Sequence, residues 1–245
     1  MNEIISQINN RKSVRKYLEK NISDNIKRVI LESAIQAPSA GNQQIYTIID
    51  VENKKIKEKL SVLCDNQPFI KEAAMVLVFC SDYKKWYDLY KHGKCDPRSL
   101  GVGDFLLSVS DTVIAAQNTV VAAESFGIGS CYIGDILENY EDVKELLNIP
   151  RHVVPVTMIV YGYPTENQKN RSKPKRPSLD LIVHKDKYNE LKNEKLEELV
   201  KHNLKTVGFE KWIKAFCKRK YNSEFSKEMN RSVEKYLGEF YDKSY

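Results

Sequence analysis

The chain reads as an α+β domain, with one main sheet flanked by helices and a helical arm at its C-terminal end. Three observations predict this. Compact runs of β-branched and apolar residues at 45–52, 73–80 and 153–164 have the length and composition of strands. Apolar residues recur at helical spacing around them, most regularly over 102–126. From 193 to 240 the pattern stays helical but becomes highly charged, with aromatics scattered through it.

The elements follow in order. Residues 3–10 carry Ile4, Ile5 and Ile8 at helical spacing. A second helix opens at Ser23, whose hydroxyl suits an N-cap, and places Ile26, Val29, Ile30 and Ala34 on one face. It stops at Ala37-Pro38, because the residue before a proline avoids helical backbone. IYTIIDVE (45–52) is a strand, and 54–63 resumes a helical pattern. AAMVLVFC (73–80) is continuously apolar, as in a strand covered on both faces. Over 102–126, Phe105, Leu106, Val109, Val113, Ala116, Val120 and Ala123 trace an apolar stripe, and Gly127 is a natural stop. A helix so rich in Ala and Val is expected to be deeply packed or to lie at a subunit interface. VVPVTMIVYGYP (153–164) is a buried strand closed by Pro164, and LDLIV (179–183) is read as a further strand. Residues 1–192 form the main domain. Residues 193–245 form an arm with too few regular apolar positions for a core of its own, so it is expected to pack on the domain or on a partner subunit.

Composition bounds the function. At 42% hydrophobic and 29% charged residues, the 245-residue chain falls with soluble globular proteins and can bury a core without a disulfide or metal staple. The net charge of +6 suits anionic small molecules such as phosphorylated cofactors. So mild an excess is weak evidence for nucleic acid, which usually needs a concentrated basic stripe. The five cysteines are odd in number and contain no C-x-x-C pair, which argues for free thiols in a reducing compartment. The N-terminus lacks the apolar core of a signal peptide, and no apolar run reaches a membrane span. The expectation is a cytoplasmic protein with no membrane or nucleic-acid partner.

Several chemistries lack their motifs. There is no P-loop, and Gly101-Val-Gly103 and Gly127-Ile-Gly129 both lack the third glycine of a dinucleotide fingerprint. Any reduced nicotinamide must therefore bind without a Rossmann domain. His92, His152, His184 and His202 are dispersed, and His92-x-x-Cys95 reads as a surface loop, so no metal is expected. No G-x-S-x-G elbow is present.

Four separated segments suit a phosphorylated planar cofactor. Arg11-Lys12-Ser13-Val14-Arg15 places three cations and a hydroxyl just past a helix, where each charge-assisted bond to a phosphate is worth about 1.5–3 kcal/mol. Pro38-Ser39-Ala40-Gly41-Asn42-Gln43-Gln44 joins a helix to a strand; its small residues admit close backbone approach, and Asn42 and Gln44 offer donors and acceptors. Tyr132-Ile133-Gly134-Asp135 can aim backbone N–H groups at a ring edge. Lys173-Pro174-Lys175-Arg176-Pro177 holds cations on a stiffened backbone. Taken singly, each is equally a solvated basic turn or an ordinary loop.

Together, in this order, they resemble the nitroreductase superfamily, in particular its oxygen-insensitive nitroreductase and NADPH–flavin reductase subgroup. The resemblance spans about 3–190. It includes R-x-S-x-R at 11–15, A-P-S-x-x-N-x-Q at 37–44, Gln67, and A-A-Q-N-x-x-x-A-A-E-S-x-G at 115–127. The Y-I-G turn, K-P-x-x-P and V-H-x-x-x-Y at 183–188 complete it. It implies an α/β sandwich with a central, mostly antiparallel sheet, a homodimer with FMN at its interface, and NADPH or NADH as reductant. It further implies that Arg11, Ser13 and Arg15, with Lys173 and Lys175 and beside Lys12, meet the FMN phosphate and ring edge. Ser39, Gly41, Asn42 and Gln44 would line the ribityl chain and ring, and Gln67 the pyrimidine side. Tyr132, Ile133, Gly134 and Asp135 would form the turn packed on the flavin. Arg15, Gly41 and Arg231 would face the substrate.

The chain departs from the subgroup at two site positions and matches it poorly after 192. Asp135 stands where a second glycine is common, and Lys175 where arginine is usual, which matters at a bidentate site. No protein nucleophile is expected, because the flavin carries the chemistry in a ping-pong transfer of two electrons to a nitroaromatic, quinone or flavin acceptor. A dedicated flavin reductase, an azo reductase or a dehalogenase fits the same pattern, since function lives in the pocket and not the fold. A flavin-binding sensor without turnover and a nucleic-acid module built on the basic C-terminus are the alternatives from other classes.

Overall fold

A computed structural model describes residues 2–204 and 206–241. They divide into two compact units, 2–171 with 228–241, and 172–204 with 206–227.

The first unit is a sheet sandwiched between helices. Helix α1 (Glu3–Asn10) is capped by Asn2, and α2 (Asp24–Ile35) by the Ser23 hydroxyl, which accepts from the Ile26 amide. Strand β1 (Tyr46–Asp50) leads to α3 (Lys54–Leu63) and the single turn α4 (Phe69–Glu72). Strand β2 (Met75–Asp82) is followed by α5 (Lys84–His92) and the long α6 (Val102–Ser125). Then come β3 (Gly129–Ile133), α7 (Tyr140–Leu147), β4 (Val153–Gly162) and the short α8 (Glu166–Asn170). The strands pair in the order β1-β2-β4-β3, every pair antiparallel. Pro155, which cannot donate to a ladder, sits where the β2–β4 register shifts between Phe79 and Cys80, so the bulge absorbs it.

Both faces of the sheet are buried, as the apolar run at 73–80 predicts. Val76, Val78 and Cys80 of β2 face a core closed by α3, α4 and α7, while Met75, Leu77 and Phe79 face α6 and α2. Tyr236 and Phe240, at 2% and 0% exposure, complete the first core. They lie on the last helix, so residues 228–241 belong to this unit.

Four expectations need correction. Val29 is 46% exposed, so the buried face of α2 rests on Ile30 and Ala34. On α6, Leu106 and Val113 are 59% and 40% exposed, and the buried face instead carries Asp104, Ser108, Asp111, Thr112, Ala115, Ala116, Thr119, Val120 and Ala123. Polar partners explain this: Ser108 meets Ser81 at 2.5 Å, and Thr119 meets the Tyr161 phenol at 2.6 Å. By length and composition α6 is also apolar enough to cross a membrane, contrary to the reading that no run is, although here it packs on the sheet.

The second unit holds α9 (Glu194–Glu198), α10 (Phe209–Lys220) and the first turn of α11 (Glu224–Tyr241). The fourth correction falls here, because residues 179–183 are not a strand. Leu179–Leu181 is a 3₁₀ turn, with the Ile182 and Val183 amides both donating to the Leu179 carbonyl. Only Leu181 is buried, and the backbone bonds close locally instead of in a ladder.

Candidate active site

The segment after α1 runs beside the edge strand β3. Ser13 bridges Ser130 in parallel, with the Val14 amide donating to the Ser130 carbonyl at 2.9 Å, and Tyr17 bridges Pro164. Two glycines permit this approach. A Cβ on Gly129 would lie 2.5 Å from Val14 Cγ2, and one on Gly162 would lie 2.6 Å from the Tyr17 ring.

An extended backbone sends alternate side chains to opposite sides. Val14 is buried, and Lys12 Nζ turns to the Lys169 carbonyl. Arg11, Ser13 and Arg15 take the other side and gather around the Cys131 thiol on β3. Burial pushes that thiol's pKa up, and Arg15 pulls against the shift. The Arg15 guanidinium lies 5.9 Å from the centre of the Phe69 ring, and its backbone amide donates to Gln168 Oε1 at 3.2 Å. Arg171 adds a cation that sequence reasoning missed, donating to the Ser13 carbonyl. Burial pushes the Tyr132 phenol up to about 12, Arg11 opposing; its hydroxyl bonds Gln117 on α6 at 3.1 Å.

Ile133 ends β3, and Gly134 opens a 3₁₀ turn to Leu137. Within that turn Asp135 Oδ2 accepts from Gln67 Nε2 at 2.9 Å. The structure therefore brings Arg11, Ser13, Arg15, Gln67, Tyr132, Ile133, Gly134 and Asp135 to one edge of the sheet. Two buried polar atoms here lack protein partners, Arg11 Nη1 and Ser130 Oγ. A donor cation and a hydroxyl left in this way fit an anionic group such as a phosphate.

The loop before β1 belongs to the opposite edge. Ala40–Asn42 is a 3₁₀ turn in which Gly41 and Asn42 both have φ +57°, and Gln44 has φ +46°. For a glutamine that is a strained backbone, costing on the order of 1–3 kcal/mol. Several bonds hold it. Ser39 Oγ accepts from the Gln44 amide at 2.6 Å, Gln44 Nε2 donates to Asn42 Oδ1 at 2.8 Å, and Trp86 Nε1 donates to the Gln43 carbonyl at 2.7 Å. Asp111 of α6, only 4% exposed, accepts from the Ala40 amide at 3.1 Å. Sequence reasoning missed Asp111 as well, because nothing local marks an acid on a helix as the anchor of a loop 71 residues away.

Arg231 is not brought into either group. Its guanidinium forms a two-bond pair with Glu141 of α7 at 2.9 and 2.7 Å and also binds Glu228. Those hydrogen bonds hold both carboxyls down at about 2. Lys173 and Lys175 lie in the second unit. Among the described residues no cluster of His, Cys, Asp and Glu could hold a metal ion.

Comparison with known proteins gives a consistent picture. Residues 8–163 match the model of the Nitroreductase family. The oxygen-insensitive NADPH nitroreductase of Salmonella typhimurium is 33% identical over 80% of this chain and 78% of its own. The FMN reductase [NAD(P)H] of Bacillus subtilis is 27% identical over 98% of this chain and 93% of its own. Among solved structures, B. megaterium NfrA1 superposes with a TM-score of 0.84 at 30% identity, covering 96% of this chain and 98% of its own. The NADPH:FMN oxidoreductase of Vibrio harveyi, complexed with NAD+, gives 0.83 at 25% identity over 98% of each chain.

Proposed function

Because this chain belongs to the nitroreductase family, we propose that it is an FMN-dependent NAD(P)H oxidoreductase that passes two electrons from NADPH to nitroaromatic, quinone or flavin acceptors. The observation that carries this reading is the basic edge beside β3, where Arg11 Nη1 and Ser130 Oγ are buried without protein partners in a chain bearing the family motifs. When bound, FMN would accept hydride from the nicotinamide and deliver two electrons to the acceptor.

The protein's own part is binding and electrostatics. Arg11, Ser13 and Lys12 would hold the phosphate, and Arg15 would face the side of the ring where negative charge collects on reduction. Gln67 and the Tyr132–Asp135 turn would meet the ring edge. Ser39, Gly41, Asn42 and Gln44 would cover it, with Arg15 and Gly41 beside the substrate. Lys173 and Lys175 are proposed on the K-P-x-x-P pattern, and Arg231 on the family pattern alone. The FMN-binding part is 1–192 and the arm 193–245.

The proposed assembly is a homodimer that completes each site. The two groups of site residues stand at opposite edges of a four-stranded sheet. Three strand spacings separate them, about 14 Å. A flavin-lining loop from a second copy would close that gap. Ile4 and Ile5 of α1 and Leu106, Val113 and Ile114 of α6 are 39–59% exposed, which suits an apolar interface. The five cysteines are unpaired, which supports the cytoplasm as the compartment.

The similarity to an FMN reductase favours a second reading, in which free flavin is the dedicated acceptor. Steady-state kinetics separates the two. NADPH varied against a nitroaromatic and, separately, against free FMN should give parallel double-reciprocal lines with each. Turnover with FMN alone would select the second reading, and no NADPH or NADH oxidation with any acceptor would reject both.

A further inference from the structure

Asp135, one of the departures from the family pattern, has the carboxyl group of Glu138 as a neighbour. Its Oδ2 accepts from Gln67 Nε2 at 2.9 Å, and the same amide nitrogen donates to the Cys64 carbonyl at 2.8 Å. Both amide hydrogens of Gln67 are thereby used, so what Gln67 can offer a ligand is the acceptor Oε1. One turn onward, Glu138 is 5% exposed and its Oε1 makes no hydrogen bond. Its carboxyl lies within hydrogen-bonding reach of Asp135.

Two further acids bear on Glu138: Asp65 after α3, and Glu228 on α11, itself paired with Arg231. The Cys64 thiol faces both carboxyls, and burial with their charge pushes its pKa up. Two touching carboxylates repel, whereas one proton between them makes a short, strong bond. Burial first, then Asp135, pushes Glu138 up to about 7.

We propose that protonated Glu138 donates to Asp135 and that the two act as positioning residues for Gln67, so that FMN affinity is linked to the protonation of Glu138. This rests on the FMN reading above. With the proton in place, Glu138 donates to Asp135, Asp135 stays aligned on Gln67, and Gln67 Oε1 accepts from the ring imide N–H. Without it, the carboxylates push apart, the amide loses its anchor and a second negative charge faces an anionic ligand. The sign follows: the protonated pair is fully formed below the raised pKa and lost above it, so affinity falls as pH rises through neutrality.

The test is titration of flavin-stripped protein with FMN, read by flavin fluorescence, at about pH 6 and about pH 8. The wild-type chain should lose about three- to tenfold in affinity between the two. Glu138→Gln, whose amide donates to Asp135 at every pH, should keep its acid-side affinity. The FMN phosphate also ionises near pH 6, but equally for both proteins, so the difference between them is what is read. The same pH dependence in both would overturn the proposal.

Infrared spectroscopy without FMN gives a second readout. A protonated carboxyl band should be present at neutral pH and absent in Glu138→Gln, while Asp135→Asn should move its loss to lower pH. No such band in the wild-type chain overturns the pair whatever FMN does. If no variant binds FMN at any pH, the proposed function fails, and the band alone decides the pair.

Discussion

At the scale of single residues, the two halves of the site were unequally legible. Arg11, Ser13 and Arg15 could be picked out because a cluster of cations with a hydroxyl stands just past a helix and matches the family's R-x-S-x-R. What seats that segment was not legible, since it depends on contacts across the fold: Gly129 against Val14, and Arg171 on the Ser13 carbonyl. Arg15→Ala should weaken FMN binding about tenfold or more, the size of one charge-assisted bond, with little change in melting temperature. Unchanged affinity in fluorescence titration would remove Arg15 from the site. Gly129→Ala places a methyl 2.5 Å from Val14 Cγ2. It should cost about 1–3 kcal/mol by overpacking and release bound flavin as the segment shifts, both measurable by thermal melting and gel filtration. Asp111→Ala should act on the loop at the other edge. It leaves the Ala40 amide without its acceptor, at about 1–3 kcal/mol, and frees a strained turn.

At the scale of elements, periodicity located the helices better than it oriented them. The 102–126 pattern marked α6 to within a residue, yet Leu106 and Val113 point outward, because the inward face is chosen by Ser108, Asp111 and Thr119 finding partners on the sheet and the Ala40 loop. Hydrophobicity cannot report a polar stripe that is satisfied by residues far along the chain. The 179–183 run failed as a strand for a related reason: β-branched composition makes a strand only where a neighbour exists to pair with. The C-terminal helix has the opposite history. Its charge obscured Tyr236 and Phe240, which enter the main core, and Arg231 ties it to α7 through Glu141. The Glu141 and Glu228 carboxyls are held down at about 2. Their contribution to stability is therefore present above the ordinary carboxylate pKa and is lost as pH falls toward about 2. Arg231→Gln should lower the melting temperature at neutral pH, and the gap to the wild-type chain should close as the solution is acidified. A gap that is constant with pH would assign Arg231 a packing role alone.

At the scale of the molecule, the α+β class and the antiparallel sheet followed from the strand runs and the family motifs, and the structure has both. The order β1-β2-β4-β3 was not legible, and it is this order that parts the site residues between two edges. One protomer alone would then hold only half of the flavin's surroundings. Leu106→Glu with Val113→Glu, both on exposed positions of α6, should give a folded monomer that has lost FMN affinity. A monomer that retains FMN would contradict the shared site.

The central claim is that this chain binds FMN and reduces it with a nicotinamide. The most direct measurement is the visible absorption spectrum of the purified protein, after incubation with FMN and removal of excess, followed by NADPH in the absence of oxygen. The account predicts a flavin spectrum that bleaches on addition of NADPH or, failing that, of NADH. A protein that stays colourless would contradict the cofactor and every residue assigned to it, and one that stays yellow with both nucleotides would contradict the enzyme.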